Sequence, residues 1–476
     1  MTKKQKQRTM QVEVNDNINF PIGTALAVQK YTEILQLERI LSQFKQKGIP
    51  LPQLVDAILT YKLSENMSLT KGSDWINRPD ILEIFELKPF EQRTLFRAVE
   101  TIGANYHQII LDLQDVLLDL YDFQRTDTNL DWSSVILWGD KAQIGKYGYS
   151  RDHRPDKKQV TFGVAELRKP INIPIGLTIA PGNLNDQTHF QTTFDQVKNK
   201  LKPNSRIIFD KGANGSDNLN AIIASKMQYI TAKQLNKSDM KLIKSFHTDT
   251  SQFSEIETGL YGLKQTFPSR FNYFFFSEKL KQEQIASALR KAERMLAQAK
   301  DIEKAVQKGK IPKKYTVNNI LVNAKIEYQT KLKDISDIEA FELVKMASIT
   351  GREGFFCITS SEDLTLTEAL TIYREKDSVE KIMHSLKNEI NIKPLRVWSD
   401  NGIYGAILIG YLAHLIISMI RYDEPKLKNT STKFIKLSLS NLTVTIEKLK
   451  NRQKRFILAN FDPINRLICV QNHAKT

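Results

Sequence analysis

From Ile22 to Phe123 apolar residues recur every three or four positions through AVQKYTEILQLERILSQF, PLPQLVDAILTYKL, NRPDILEIFEL, EQRTLFRAVETIGAN and HQIILDLQDVLLDLY. That period predicts short amphipathic helices in series, with Pro50, Pro52, Pro79 and Pro89 marking their starts. From Asn129 the period changes. LDWSSVILWG, the run around Val160 to Ala165, INIPIGLTIAPGN and SRIIFDKGANG read as strands rich in β-branched and aromatic residues, with a helix, THFQTTFDQVKNKL, before the last of them. Phe253 to Lys345 interrupts this order with one possible strand, FNYFFFS, and a lysine-rich segment that reads as a long solvated helix. The α/β pattern resumes at GREGFFCITSS and runs through LTLTEALTIY into YREKDSVEKIMHSLK. The apolar run Tyr404 to Ile420 approaches membrane length, but it contains His414 and reads as a buried core helix.

These patterns divide the chain into a helical domain over 1–125, an α/β domain in two parts over 126–240 and 349–422, an insertion subdomain over 241–348 and a basic tail over 423–476. The stretch Ser73 to Asn105 is compatible with a helix-turn-helix DNA reader, and equally with a bundle that only packs.

Composition narrows the partners. Of 476 residues, 41% are hydrophobic and 26% charged, ordinary for a globular protein and against disorder. The 69 Lys and Arg outnumber the 53 Asp and Glu, giving +16 at neutral pH. Such an excess points to a polyanion, nucleic acid first and an anionic membrane surface second. Cys357 and Cys469 stand far apart without nearby His pairs, so neither a disulfide framework nor a zinc ligand set is indicated, which fits a reducing cytosol. The opening MTKKQKQRTM lacks the apolar core of a signal peptide.

The candidate chemistry centres on Glu380. In a continuous helix from Tyr373 to Lys387, Tyr373, Lys376, Glu380 and Lys387 fall on one stripe: one carboxylate for a metal, flanked by cations and a phenol for phosphate oxygens. The same spacing also describes a solvated face with internal ion pairs. Two acids upstream could complete a ligand set. Asp210 closes the run IIF before a tight turn, and Asp131 opens DWSSVILW. Each alone also reads as a turn or cap residue.

Four blocks in order carry a family resemblance. KYGYSRDHRPDKKQV, APGNLNDQT, IIFDKG and YREKDSVEKIMHSLK, within Asn129 to Ile420, resemble DDE-type transposases of prokaryotic insertion sequences, in the branch with a Tyr-Arg-Glu-Lys signature. Lys376 stands where that signature has Arg, keeping the charge and losing the bidentate fork; Arg374 is nearby but off the stripe. The resemblance implies a ribonuclease H-like mixed sheet in which Asp131, Asp210 and Glu380 are the three catalytic, metal-binding acids. Trp132 departs from the small residue usual after the first acid, so Asp140 is the alternative.

It further implies two Mg²⁺ or Mn²⁺ ions that activate water or a DNA 3′-OH and stabilise the leaving oxygen. Tyr373, Lys376, Lys387, Arg151 and Arg154, with help from His153, would contact DNA, although the hairpin residues could also be held in ion pairs of their own. The implied reaction is metal-dependent cleavage of element ends and strand transfer, with terminal inverted repeats and target DNA as partners, a homodimer in the DNA complex and a prokaryotic cytoplasmic location. A catalytically inactive DNA-binding remnant, or a nuclease that cuts without joining, are the alternatives.

Overall fold

The computed structural model describes residues 18–65, 68–120, 127–309, 337–392, 395–448 and 454–469. The basic N-terminal decapeptide, part of the insertion and part of the basic C-terminal stretch lie outside them. The described chain is a mixed α/β fold in two compact units, one reaching Ser205 and resuming at Asp377, the other Arg206–Lys376.

The first unit opens with β1 (Ile18–Pro21), α1 (Gly23–Ile34), α2 (Leu37–Ser42), α3 (Leu51–Ser64), α4 (Leu69–Ile76), α5 (Pro79–Ile84), α6 (Gln92–Ala104) and α7 (Tyr106–Leu120). Pro52 sits in the first turn of α3, where its missing N–H costs nothing. An antiparallel meander follows, β2 (Thr128–Ile136), β3 (Gln159–Leu167) and β4 (Ile173–Pro181). Then comes α8 (Asp186–Val197), capped by Asn185, whose side chain accepts the Thr188 N–H at 2.9 Å.

The second unit supplies β5 (Arg206–Phe209), α9 (Ser216–Ala224), β6 (Gln228–Lys233), α10 (Asp239–Thr248), β7 (Ser254–Glu257), β8 (Leu260–Phe267), β9 (Arg270–Ser277), α11 (Glu278–Gln307), α12 (Asp337–Ser348), β10 (Phe355–Ser360) and α13 (Leu366–Arg374). Its strands lie in the order β5-β6-β10-β9-β8-β7. The β5–β6 pair is parallel and the others antiparallel.

The run FNYFFFS explains why this sheet is covered on both sides. Tyr273 and Phe275 enter one apolar cluster with Ala369 and Leu370 of α13. Phe274 and Phe276, pointing the opposite way, enter another with Ile243 and Phe246 of α10. The strands read as an insertion, β7 to β9, therefore share one sheet with β10. The lysine-rich helix is α11, and it packs on α12 through Ala292, Met295, Leu296, Phe341 and Val344.

The first unit closes with α14 (Asp377–His384), α15 (Asp400–Asp423), α16 (Thr432–Asn441), β11 (Thr443–Lys448), β12 (Lys454–Ala459) and α17 (Pro463–Cys469). α15 is the apolar run with His414; Ile407 to Ile420 are all buried, and the helix packs on α6, β4 and α3. Ser399 caps it by accepting the Gly402 N–H at 3.1 Å. Contact with α6 is close enough that a Cβ on Gly103 would overlap the Asn401 and Gly405 backbone. The buried face of α6 is thus spent on the core. Residues 423–469, read as a basic tail, contain ordered elements: β11 pairs with β1 on one side and β12 on the other.

Candidate active site

Asp131 lies mid-strand in β2, opposite Val164. Alternation gives this strand two different faces. On the even face Trp132 packs beside Phe190 and donates its indole N–H to Thr193 Oγ1 at 3.0 Å, both on α8. Its cross-strand partner is Gly163, where a Cβ would come within 2.7 Å of the indole. The Trp after Asp131 is thus accommodated on the opposite face of the strand. On the odd face, Asn129, Asp131 and Ser133 look toward α14 and the turn that follows it.

Two anchors fix that relation. At one end Asn129 donates to Glu166 Oε2 at 3.0 Å and Ser378 donates to the same oxygen at 2.9 Å, while Asn129 also lies 3.0 Å from Ser378 Oγ. At the other, Lys387 Nζ is 2.7 Å from Asp152 Oδ1 and 3.4 Å from Ser133 Oγ. The segment bearing Glu380 is therefore tied along the strand bearing Asp131. Glu380 itself is exposed in the first turn of α14, where a carboxylate complements the helix dipole.

Glu166 is an acid that pattern reading missed. It is 0% exposed, and burial pushes its carboxyl up to about 7; hydrogen bonds from Asn129 and Ser378 and the charge of Arg168 pull it back, while Asp131 raises it further. The available signal was a carboxylate inside QVTFGVAEL, a strand buried at every position.

In the second unit, Asp210 follows the last residue of β5, and the Tyr373 hydroxyl donates to its Oδ1 at 3.0 Å. The acid at the end of β5 and a phenol of α13 are thereby joined. Lys376, at the end of this unit, is buried.

The single helix expected from Tyr373 to Lys387 is corrected by the structure. α13 ends at Arg374, where a tightened turn forms as the Lys376 N–H bonds Tyr373 O at 3.1 Å, and α14 starts at Asp377. Tyr373 and Lys376 belong to one compact unit, Glu380 and Lys387 to the other. Residues Ser385–Glu389 then widen into a π-turn, with the Ile390 N–H bonded to Ser385 O at 2.8 Å. Lys387, within this π-turn, is buried, while Glu380 is exposed.

The hairpin cations also have partners within the protein. Arg151 forks onto Asp186 at 2.9 and 2.7 Å, tying the hairpin to the turn Gly182–Asn185 that precedes α8. Arg154 forks onto Asp156 at 2.8 Å through both nitrogens. His153 is exposed with a left-handed φ of 55°. Asp140 stands beyond the end of β2, its side chain 93% exposed and 3.8 Å from Lys158.

The sequence model of the transposase DDE domain family matches residues 130–416. The chain belongs to that family. Among solved structures, this transposase is similar to one determined by cryo-EM, the piggyBac transposase synaptic complex with hairpin DNA. Their identity is 10% and the TM-score 0.43, over 89% of this chain and 80% of that one. No curated protein sequence matches the transposase.

DDE transposases generally use divalent metal ions. Among the described residues of this transposase, no group of three or more His, Cys, Asp or Glu side chains is gathered to hold one. The acids nominated from the sequence, Asp131, Asp210 and Glu380, are carboxylates, the kind of hard oxygen ligand that Mg²⁺ and Mn²⁺ prefer.

Proposed function

We propose that this transposase excises an insertion sequence by cutting DNA at its terminal inverted repeats and joins the freed 3′ ends to target DNA, with Asp131, Asp210 and Glu380 as its catalytic acids. The observation that carries the reading is the family match over 130–416, which contains all three acids. A ribonuclease H-like reading of the fold is supported by the antiparallel β2–β3–β4 meander, the helix α8 after it, and a next strand, β5, that pairs in parallel. Assignment to the Tyr-Arg-Glu-Lys branch rests on Tyr373, Lys376, Glu380 and Lys387 as they stand in the sequence.

The protein's own residues have distinct parts. Asp131, Asp210 and Glu380 would hold the divalent ions, Mg²⁺ or Mn²⁺. When bound, such ions activate the attacking water or 3′-OH and stabilise the leaving oxygen. Tyr373 orients the Asp210 carboxylate through its hydroxyl. Lys387, paired with Asp152, fixes the end of the segment that carries Glu380. Arg151 and Arg154 shape the hairpin through Asp186 and Asp156, and their guanidinium groups would contact phosphates where DNA displaces those pairs. Two element ends must be held together, so the working complex is a homodimer on DNA.

The test uses DNA from the borders of the element. Asp131→Ala, Asp210→Ala and Glu380→Ala are each expected to abolish Mg²⁺-dependent nicking while DNA binding persists. Full nicking by all three variants would reject the assignment. Transfer of free 3′ ends to a target plasmid separates a transposase that joins from a nuclease that only cuts.

A further inference from the structure

The connection from β2 to β3 carries a surface that the phosphoryl-transfer reading does not use. Of the four tryptophans, Trp132 is buried and Trp75 half-buried, whereas Trp138 is 50% and Trp398 68% exposed. The two exposed indoles are neighbours through their backbones: the Trp138 N–H bonds Leu395 O at 3.0 Å, and Trp398 Cδ1 lies 3.6 Å from where a Cβ on Gly139 would stand. Tyr147 and Tyr149 are also exposed, the latter by 81%. Between them Gly148 presses on the Gly182 carbonyl so closely that no Cβ fits.

Cations accompany the rings. Lys157 Nζ sits 4.5 Å from the Trp138 ring centroid, and Lys141 Nζ 4.8 Å from that of Trp398. Residues 137–158 hold six Lys and Arg against three Asp. Arg151, Arg154 and Lys158 are paired with acids; among the described residues Lys141, Lys146 and Lys157 make no ion pair. The aliphatic residues of this segment, Leu137, Ala142 and Ile144, are buried. The surface is thus made of aromatic rings and lysines, without the aliphatic centre and lysine depletion of a protein interface.

We propose that Trp138 and Trp398, with Tyr147, Tyr149, Lys141 and Lys157, form a stacking surface for unpaired DNA bases. Lys157 and, at 5.9 Å, the Arg154 guanidinium lie over the Trp138 ring and Lys141 over that of Trp398; the exposed parts of the rings stack on bases while the lysines neutralise the adjoining phosphates. Trp138 lies beyond the strand end, well past Asp131 along β2. The surface would hold a strand separated from its complement away from that acid. This inference rests on the chain acting on DNA and is independent of which acids catalyse.

Intrinsic fluorescence of the full chain reads the surface directly, because the other two indoles are less exposed. Oligodeoxythymidylate is expected to quench emission. Trp138→Ala with Trp398→Ala should weaken single-strand binding by about tenfold or more and leave binding to duplex ends unchanged, while Trp138→Phe with Trp398→Phe retains most of the single-strand affinity. Circular dichroism of the variants should match wild type. Unaltered single-strand affinity in the double alanine variant would overturn the proposal, as would equal losses for single strand, duplex and heparin, the signature of charge alone. Either result with metal-dependent nicking intact leaves the acid assignment standing. Conversely, nicking unaffected by loss of the acids while fluorescence quenching persists would sink that assignment and spare the stacking surface.

Discussion

The phenol of Tyr373 donates a 3.0 Å hydrogen bond to Asp210 Oδ1, joining α13 to an acid far upstream in the chain. A carboxylate at the open end of a short strand has few local restraints, and this bond supplies one. Tyr373→Phe keeps the ring packed against its apolar cluster and removes only the donor. Nicking of element-end DNA should fall between about tenfold and a hundredfold, as for a misplaced catalytic group. Stability should drop by about 1 kcal/mol, a typical hydrogen bond, in urea unfolding.

Lys387 and Asp152 are both nearly buried at 2.7 Å. Removing one partner strands the other charge away from water. Lys387→Met is expected to destabilise the chain by about 3 kcal/mol or more, and Lys387→Met combined with Asp152→Leu to recover most of it. Denaturant midpoints of the single and double variants check this; a single variant as stable as wild type would show that the pair is solvated.

Glu166 gives the first unit a pH signature. Its carboxyl is raised from 4.5 to about 7, so between those values the folded state binds more protons than the unfolded chain. Its contribution is therefore fully present below the lower value and is lost as pH rises through the upper one. Wild type should lose about 3 kcal/mol relative to Glu166→Gln across this window, with no further change above it. Asp56, also raised to about 7 by burial, and His189, pushed down to about 4, titrate in both proteins, so the difference between melting curves isolates Glu166.

Gly163 is required by Trp132. A Cβ there would stand 2.7 Å from the indole and from Thr193 Oγ1. Gly163→Ala should cost about 1–3 kcal/mol of overpacking, and Trp132→Leu in the same chain should relieve part of it. Thermal unfolding of the three variants measures the coupling.

Much of the fold was legible because its signals are local. The β-branched and aromatic residues of LDWSSVILWG and the doubled apolar faces of FNYFFFS announce strands, and the apolar run Tyr404 to Ile420 announces a core helix. The break after Arg374 was not, because YREKDSVEKIMHSLK has no Gly or Pro and every residue tolerates a helix. Tertiary ties decide it: Ser378 is held by Asn129 and Glu166, and Lys387 by Asp152. The strands of the C-terminal segment escaped for a similar reason. β11 owes one edge to β1, from the opposite end of the sequence, and no periodicity near Thr443 records that partner. The three acids could be nominated by residue type and block order, but Glu166 looked like part of an apolar strand, and only its three-way junction with Asn129 and Ser378 shows its place.

The discontinuity of the first unit bears on how the protein is made. α15, which covers α6 and β4, is encoded after the whole of Arg206–Lys376. A ribosome therefore completes the second unit while the first still waits for its central helix. A chain released between Lys376 and Asp400 carries the residues of the second unit behind an N-terminal portion whose faces on α6 and β4 lack their covering helix, a substrate for chaperones and proteases. Translation to the end becomes a checkpoint on the protein's own reactivity.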